Sequence, residues 1–173
     1  HLGGDRFAIA EERKMRITLV EIPQGTKKIH DDGRRIDLDE KAKKNKGLEG
    51  LTYDRETDTL FAVREDKPPT VFRIQPLSID HDSQVTDWPL DLDGLDDLSD
   101  LFFDPSTGWL WLLSHESRRA AAFDAKGRRV ADWRLEKGEN GLPENVKQAE
   151  GITRDRHGRW LICSEPNRIY RFV

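Results

Sequence analysis

One pattern of about fifty residues occurs three times in this chain and constrains its fold more than any other feature. The segments Gly47–Asp54, Asp97–Asp104 and Gln148–Asp155 align without gaps, and their starts lie 50 and 51 residues apart. Each segment is followed by a turn rich in Asp, Gly and Thr, and then by four consecutive apolar residues. Such periods are typical of solenoids, propellers and repeat arrays.

Each repeat predicts four short strands, of which the repeated segment is the first. Uninterrupted apolar runs indicate second strands covered on both faces, at 60–63, 110–113 and 160–163. Third and fourth strands are predicted at 70–74, 119–123 and 168–173, and at 84–90 and 129–135. Residues 39–46 have room for one helical turn at most, and a TIM-like or doubly wound fold needs long helices. We therefore predict an all-β fold, a β-propeller of four-stranded antiparallel blades.

The repeats predict a single propeller domain over residues 1–173 that is incomplete at its N-terminal end. Its predicted parts are a partial blade at 1–46, blades at 47–96 and 97–147, and a partial blade at 148–173. The first part lacks a first strand, and the last part ends after its third strand. Because bare strand edges promote aggregation, we expect sequence outside this chain to supply the missing strands, or else the two ends to pair with each other.

The composition excludes some partners. Charged residues make up 36% of the chain, yet the net charge is −4, so no basic excess favours nucleic acid. No stretch has the length and hydropathy of a transmembrane helix. The one cysteine, Cys163, excludes a disulfide within the chain, and its apolar neighbours predict a small buried side chain.

Several short stretches resemble the SdiA-regulated (YjiK-type) bacterial β-propeller family, which is distantly related to NHL-repeat propellers. They are residues 47–51, 113–118, 149–152 and 164–172. The resemblance covers essentially the whole chain and implies a full protein of five or six blades with a bound calcium. It also implies a location in the bacterial cell envelope, periplasmic or anchored to a membrane through a segment not present in this chain. It implies no established biochemical activity.

Equivalent residues of successive propeller blades form rings around the central channel. One predicted ring lies at the starts of the innermost strands and contains Glu49, Ser99 and Glu150. A second follows the buried second strands and contains Glu11, Glu65, His115 and Glu165. Acids gathered at a channel mouth repel one another, and calcium, a hard cation that binds oxygen, relieves this repulsion.

We predict Glu49, Glu150, Asp96 and Asp97 as calcium ligands, and the other ring residues as channel-lining residues that contact a ligand. The two aspartates belong to the acidic stretch 91–100, whose spacing is not that of an EF-hand loop. An alternative for the glutamates is that each caps a turn or pairs with a nearby arginine. The alternative for the acidic stretch is a hydrated loop.

Two functions follow from this pattern. The first is a non-catalytic calcium-binding propeller of the cell envelope that binds an unidentified protein or small molecule. The second is a calcium-dependent hydrolase of the lactonase or esterase type, with His115 or a carboxylate as general base, because the Glu-Gly step resembles one in calcium-dependent lactonase propellers. Common nucleophile and cofactor motifs are absent from the sequence, which still allows a metal-dependent hydrolase. The sequence has no clear pair of base and nucleophile, and this favours the first function. A scaffold without an ion is a third reading if the acids pair with arginines.

Overall fold

The repeats fold into four antiparallel sheets that stand next to one another. The computed structural model of the chain describes residues 1–29, 33–38, 47–65, 68–77 and 82–173. These residues contain fourteen strands and one short 3-10 turn at Glu12–Lys14. The helical turn considered for residues 39–46 lies outside the described residues. In the described part of the chain, no helix has the length and apolar character needed to cross a membrane.

Every sheet is a meander in which consecutive strands pair. The first sheet contains β1 (Arg6–Glu11), β2 (Arg16–Glu21) and β3 (Arg34–Asp37). The second contains β4 (Leu48–Asp54), β5 (Thr59–Arg64), β6 (Thr70–Gln75) and β7 (Gln84–Asp87). The third contains β8 (Asp100–Asp104), β9 (Trp109–Ser114), β10 (Arg119–Phe123) and β11 (Arg129–Arg134). The fourth contains β12 (Ala149–Arg154), β13 (Trp160–Ser164) and β14 (Arg168–Phe172).

This arrangement confirms the predicted all-β propeller architecture. The strands β4, β8 and β12 each begin a sheet, and β8 contacts both of the others. They are therefore the innermost strands of three successive blades. Within the described residues, the first sheet has no strand equivalent to them, and the fourth sheet has none after β14.

Aspartate side chains form the turn between the first and second strands of each repeat, as their position in the sequence indicates. The first carboxylate oxygen (Oδ1) of Asp54, Asp104 and Asp155 accepts the N–H two residues later, at 2.8–3.0 Å. Gly108 supplies the left-handed conformation that ends one of these turns, with φ of 69°. Asp58 takes the equivalent place in the second sheet, where its carboxylate accepts hydrogen bonds from Tyr53 and from the N–H of Leu77.

The core lies between the sheets, because each middle strand packs on both faces. Along β9, Leu110 and Leu112 pack towards the second sheet, whereas Trp111 and Leu113 pack towards the fourth. Aromatic rings fill the junction between the third and fourth sheets. The Trp160 ring centroid lies 4.6 Å from that of Trp111, and the Phe102 ring meets Trp160 edge-on at 5.6 Å.

Cys163 corrects one expectation from the sequence, because it is exposed rather than buried. Side chains alternate along β13, so that Trp160 and Ile162 face the third sheet while Cys163 faces the other way. No sheet covers that second face within the described residues. An apolar run alone does not reveal which strand has a neighbour on only one side.

We expect Trp160→Ala to lower the free energy of unfolding by about 3–5 kcal/mol, because it opens a cavity in the aromatic junction. Ile169→Ala is the control, since Ile169 is 74% exposed on β14 and its truncation should change stability by less than about 0.5 kcal/mol. Urea unfolding of the three proteins measures both effects. Equal effects of the two substitutions would contradict the assigned core.

Candidate functional site

A β-bulge at the start of two innermost strands sets one glutamate in each strand outside the regular pairing. In β4 the pairs Leu48 with Arg64 and Gly50 with Val63 leave Glu49 between them, without a partner. The pairing of β12 with β13 is interrupted in the same way at Glu150. Bulges re-aim side chains and are common beside functional sites. Here the same irregularity presents two exposed carboxylates at the same end of the innermost strands.

The charges around these two glutamates are mostly negative. Burial of part of the Glu49 side chain raises its pKa, and the charges of Glu65, Glu12 and Glu150 raise it further. Burial also raises the pKa of Glu150, where His115 acts in the opposite direction and Glu165 adds to the increase. Both residues are exposed, so solvent screening keeps these effects small. Because Glu65 acts on both glutamates and Glu150 acts on Glu49, we assign these residues, with Glu165, to one acidic mouth.

Asp97 and His115 form a close pair at this mouth. Asp97 is 1% exposed, and its Oδ1 atom accepts hydrogen bonds from the Ser114 hydroxyl and from the N–H of Glu116, the latter at 3.1 Å. Its Oδ2 atom lies 2.7 Å from His115 Nδ1 but is not aligned for a hydrogen bond. The buried carboxylate therefore lies beside the edge of the imidazole that carries Nδ1. The His115 side chain is 33% exposed.

The next blade repeats this contact with different chemistry. Gln148 and Glu165 occupy the equivalent positions, and the Gln148 amide donates to Glu165 Oε2 at 3.4 Å. The N–H of Glu165 donates to the Gln148 carbonyl oxygen at 3.0 Å. Gln148 has φ of 43°, a left-handed conformation that is uncommon for a residue with a side chain and often marks functional sites. In both blades, a residue just before the innermost strand therefore contacts the residue that follows the second strand.

The remaining predicted residues have other contacts. The buried Ser99 hydroxyl donates to the Ala149 carbonyl oxygen at 2.7 Å and so links two blades. Asp96 is exposed and accepts a hydrogen bond from the Ser117 hydroxyl at 2.9 Å. Glu11 contacts Lys14 Nζ at 2.5 Å and accepts from Thr18 at 2.7 Å, and these hydrogen bonds lower its pKa.

Asp100 is a residue of this region that the sequence analysis missed. It stands in the third sheet where the other two repeats have Gly50 and Gly151, so the Glu-Gly step of those repeats becomes Ser-Asp. Its Oδ2 atom accepts the N–H of Ile152 from the next blade at 2.8 Å. Burial raises the pKa of Asp100 to about 6. The sequence signal that could have identified Asp100 is the acid that it places where the other two repeats have glycine.

These acids are gathered but not arranged as a preformed metal shell. Across the described ranges, no group of three or more His, Cys, Asp or Glu side chains lies close enough to hold a metal ion. The chemistry of the donors nevertheless fits a hard cation, because the bulge residues are carboxylates and the neighbouring main chain provides carbonyl oxygens. Both oxygens of Asp97 contact groups of the protein itself.

The model of the SdiA-regulated family matches residues 1–173, and the chain therefore belongs to this family. The fold found in known structures is the same. A chain of a nidogen/laminin complex superposes with a TM-score of 0.66 at 13% identity, over 97% of this chain and 57% of that one. A streptogramin B lyase superposes with a TM-score of 0.62 at 12% identity, over 99% of this chain and 52% of that one. A gluconolactonase of Xanthomonas campestris superposes with a TM-score of 0.52 at 17% identity, over 90% of this chain and 44% of that one.

These identities are low, so the likeness to solved structures shows the propeller fold alone. The chain spans about half the length of the propellers that it matches.

We predict that Asp97→Ala lowers the free energy of unfolding by about 1–3 kcal/mol, because it leaves the Ser114 hydroxyl and the Glu116 N–H without their acceptor. The exposed neighbour provides the control, and Asp96→Ala should change stability by less than about 0.5 kcal/mol. Chemical unfolding measures both. A larger loss for Asp96→Ala would show that the two side chains have the opposite roles.

Proposed function

We propose that this chain is part of a non-catalytic propeller that binds calcium at its acidic mouth and recognises a protein or small-molecule partner in the bacterial cell envelope. The observation that carries the proposal is the pair of equivalent bulges, which expose Glu49 and Glu150 without strand partners. Membership of the SdiA-regulated family is consistent with this role. A periplasmic or membrane-anchored location is part of the proposal.

The electrostatic argument supports a cation as the first ligand. The charge of Glu150 raises the pKa of Glu49, Glu65 raises the pKa of both glutamates, and Glu165 adds to the increase at Glu150. A cation between them removes this repulsion. Calcium takes six to eight oxygens in flexible geometry, so two carboxylates supplemented by main-chain carbonyls and water are an acceptable set. With so few protein carboxylates, we expect weak binding, with a dissociation constant of about 10⁻⁴–10⁻³ M as in extracellular calcium modules.

Thermal melts with calcium and with chelator test the proposal, because the order of the melting temperatures of the variants and the unsubstituted protein should reverse between the two conditions. In chelator, Glu49→Gln and Glu150→Gln should melt slightly above the unsubstituted protein, because each removes a repelled charge. With millimolar calcium, only the unsubstituted protein should gain, by about 4 kcal/mol if its dissociation constant is micromolar and less if binding is weaker.

Glu56→Gln is the matched control for the calcium melts. Glu56 lies in the turn at the far end of β4, so its loss should leave the calcium response unchanged. A calcium response that is retained in both Glu49→Gln and Glu150→Gln would show that the ion binds at other residues. The absence of a response in the unsubstituted protein would contradict calcium binding.

A second candidate function is favoured by one observation, the contact between buried Asp97 and His115 Nδ1. A carboxylate on one ring nitrogen orients an imidazole so that the other nitrogen can accept a proton from water. Calcium, when bound, would polarise the carbonyl of an ester or lactone. The fold shared with a gluconolactonase agrees with this candidate, although the fold alone does not assign an activity.

Assays against a panel of lactones and aryl esters, with calcium present, test the hydrolase candidate. We expect a true activity to be lost in His115→Gln and reduced more than about tenfold in Asp97→Asn. His157→Gln is the control, since His157 lies in the exposed turn before β13 and should retain full activity. Turnover that persists in His115→Gln would contradict the assigned base, and no turnover on any substrate would leave the binding function.

A further inference from the structure

Two side chains of the third sheet hold the first strand of the fourth sheet on both sides of its bulge. The Ser99 hydroxyl donates to the Ala149 carbonyl oxygen at 2.7 Å. The next residue, Asp100, accepts the N–H of Ile152 with its Oδ2 atom at 2.8 Å. These two hydrogen bonds therefore restrain the backbone of β12 one residue before Glu150 and two residues after it.

The bulge needs such a restraint because the sheet itself does not provide one. The pairing between β12 and β13 passes from Ala149 directly to Gly151 and leaves Glu150 outside the ladder. An extra residue in a bulge has no pairing partner, and the ladder is disrupted around it. The contacts from the third sheet act on the two segments that flank this disruption. They are therefore placed to fix the direction in which the Glu150 side chain leaves the strand.

Asp100 also lies between the two bulges, because its carboxyl group faces a glycine of each. A Cβ atom on Gly50 would lie 2.7 Å from Asp100 Oδ1 and 3.0 Å from Asp100 Cα, so a larger residue there meets the third sheet. A Cβ atom on Gly151 would lie 3.7 Å from Asp100 Oδ2. Each of these glycines directly follows a bulge glutamate. One side chain therefore spaces the two strand segments that carry the glutamates.

The Ser-Asp step of the third sheet has the chemistry that these contacts require, and the Glu-Gly step of the other repeats does not. An ionised glutamate at position 99 could not donate a hydrogen bond to a carbonyl oxygen. A glycine at position 100 would offer no side-chain acceptor to the N–H of Ile152, a buried residue. An unpaired N–H group in a protein interior is strongly unfavourable. The third repeat thus has a holding pair where the other two have a glutamate.

We propose that Ser99 and Asp100 are positioning residues for Glu150: they fix the bulge of β12 so that Glu150 and Glu49 can bind one divalent cation together. The part of this inference that concerns the cation rests on the proposed function. The part that concerns the bulge stands on the hydrogen bonds alone.

Removal of the Asp100 carboxyl group should weaken calcium binding although no calcium ligand is lost. In Asp100→Ala the N–H of Ile152 loses its acceptor, and the bulge is held on one side only. The loss of a group that orients a metal ligand typically weakens metal binding by about 10–100-fold, and we expect a decrease of about tenfold here. Ser99→Ala should act in the same direction, because it frees the Ala149 carbonyl group.

Asp100→Asn separates the position of this side chain from its charge. The amide oxygen of asparagine can still accept the N–H of Ile152, but the side chain carries no negative charge. A positioning role therefore predicts that Asp100→Asn keeps most of the calcium affinity that Asp100→Ala loses. If Asp100→Asn binds calcium as weakly as Asp100→Ala, the carboxylate acts through its charge, and the inference is overturned.

Arg154→Ala is the matched control, because Arg154 joins the same two strands at their other end. Its Nη1 atom lies 2.7 Å from Oδ2 of Asp104 on β8. The substitution removes a contact between β8 and β12 but leaves the bulge as it is, so calcium affinity should not change. A tenfold decrease in this variant as well would show that any loosening of the blade junction weakens binding, which would contradict a specific role of Asp100.

Calcium titrations followed by two-dimensional NMR measure these affinities. They are performed at constant ionic strength, below the melting transition and at pH 7.5. At this pH the Asp100 carboxyl group is ionised, since burial raises its pKa to about 6.

NMR relaxation of the same samples without calcium tests the bulge independently of any ion. We expect an order parameter of about 0.85 for the Glu150 N–H in the unsubstituted chain, Asp100→Asn and Arg154→Ala, and a value below about 0.6 in Asp100→Ala. If Asp100→Ala does not fold, Ser99→Ala takes its place. An unchanged order parameter would overturn the inference even where calcium binds. If the unsubstituted chain binds no calcium, the proposed function fails, and the order parameter still decides whether the bulge is held by the third sheet.

Discussion

Each innermost strand has one edge that no other strand pairs with in the described blades, and the rest of the structure depends on how that edge is satisfied. Unpaired N–H groups in a protein interior are strongly unfavourable. Neighbouring blades supply the acceptors, the Thr52 hydroxyl for Phe103 and the Asp100 carboxyl group for Ile152. These contacts set the spacing of β4, β8 and β12. They therefore also set the separation of every residue that the repeat carries to the mouth of the channel.

The two ends of the innermost strands use acidic residues in different ways. At the turn end, Asp104 accepts hydrogen bonds from its own turn and pairs with Arg154, which is a stabilising arrangement. At the mouth, bulges expose glutamates in a negative environment, and burial of part of the Asp100 side chain raises the pKa of its carboxyl group. A protein that keeps such unfavourable charges at one end of its blades gives up stability there. Ligand binding is the usual reason for that loss.

Much of the fold was predictable from the sequence because aligning the three repeats shows which positions recur as strands and which as turns. The apolar runs gave β5 and β9 as strands covered on both faces, and the aspartates gave the turns. The site was less predictable, because bulges depend on the pairing of two strands and leave no mark on either one alone. The same holds for the contact of Asp97 with His115, which joins residues eighteen positions apart in the chain. Cys163 was misjudged because exposure depends on whether a neighbouring sheet is present, and the run itself is equally apolar either way.

The most direct measurement of the central claim is an anomalous difference map from crystals grown with calcium and collected at long wavelength. The account predicts one calcium peak within direct coordination distance, about 2.3–2.6 Å, of carboxylate oxygens of Glu49 and Glu150. The same peak should be absent from crystals of Glu150→Gln. A calcium peak bound by other residues, or a mouth without any peak at millimolar calcium, would contradict the account.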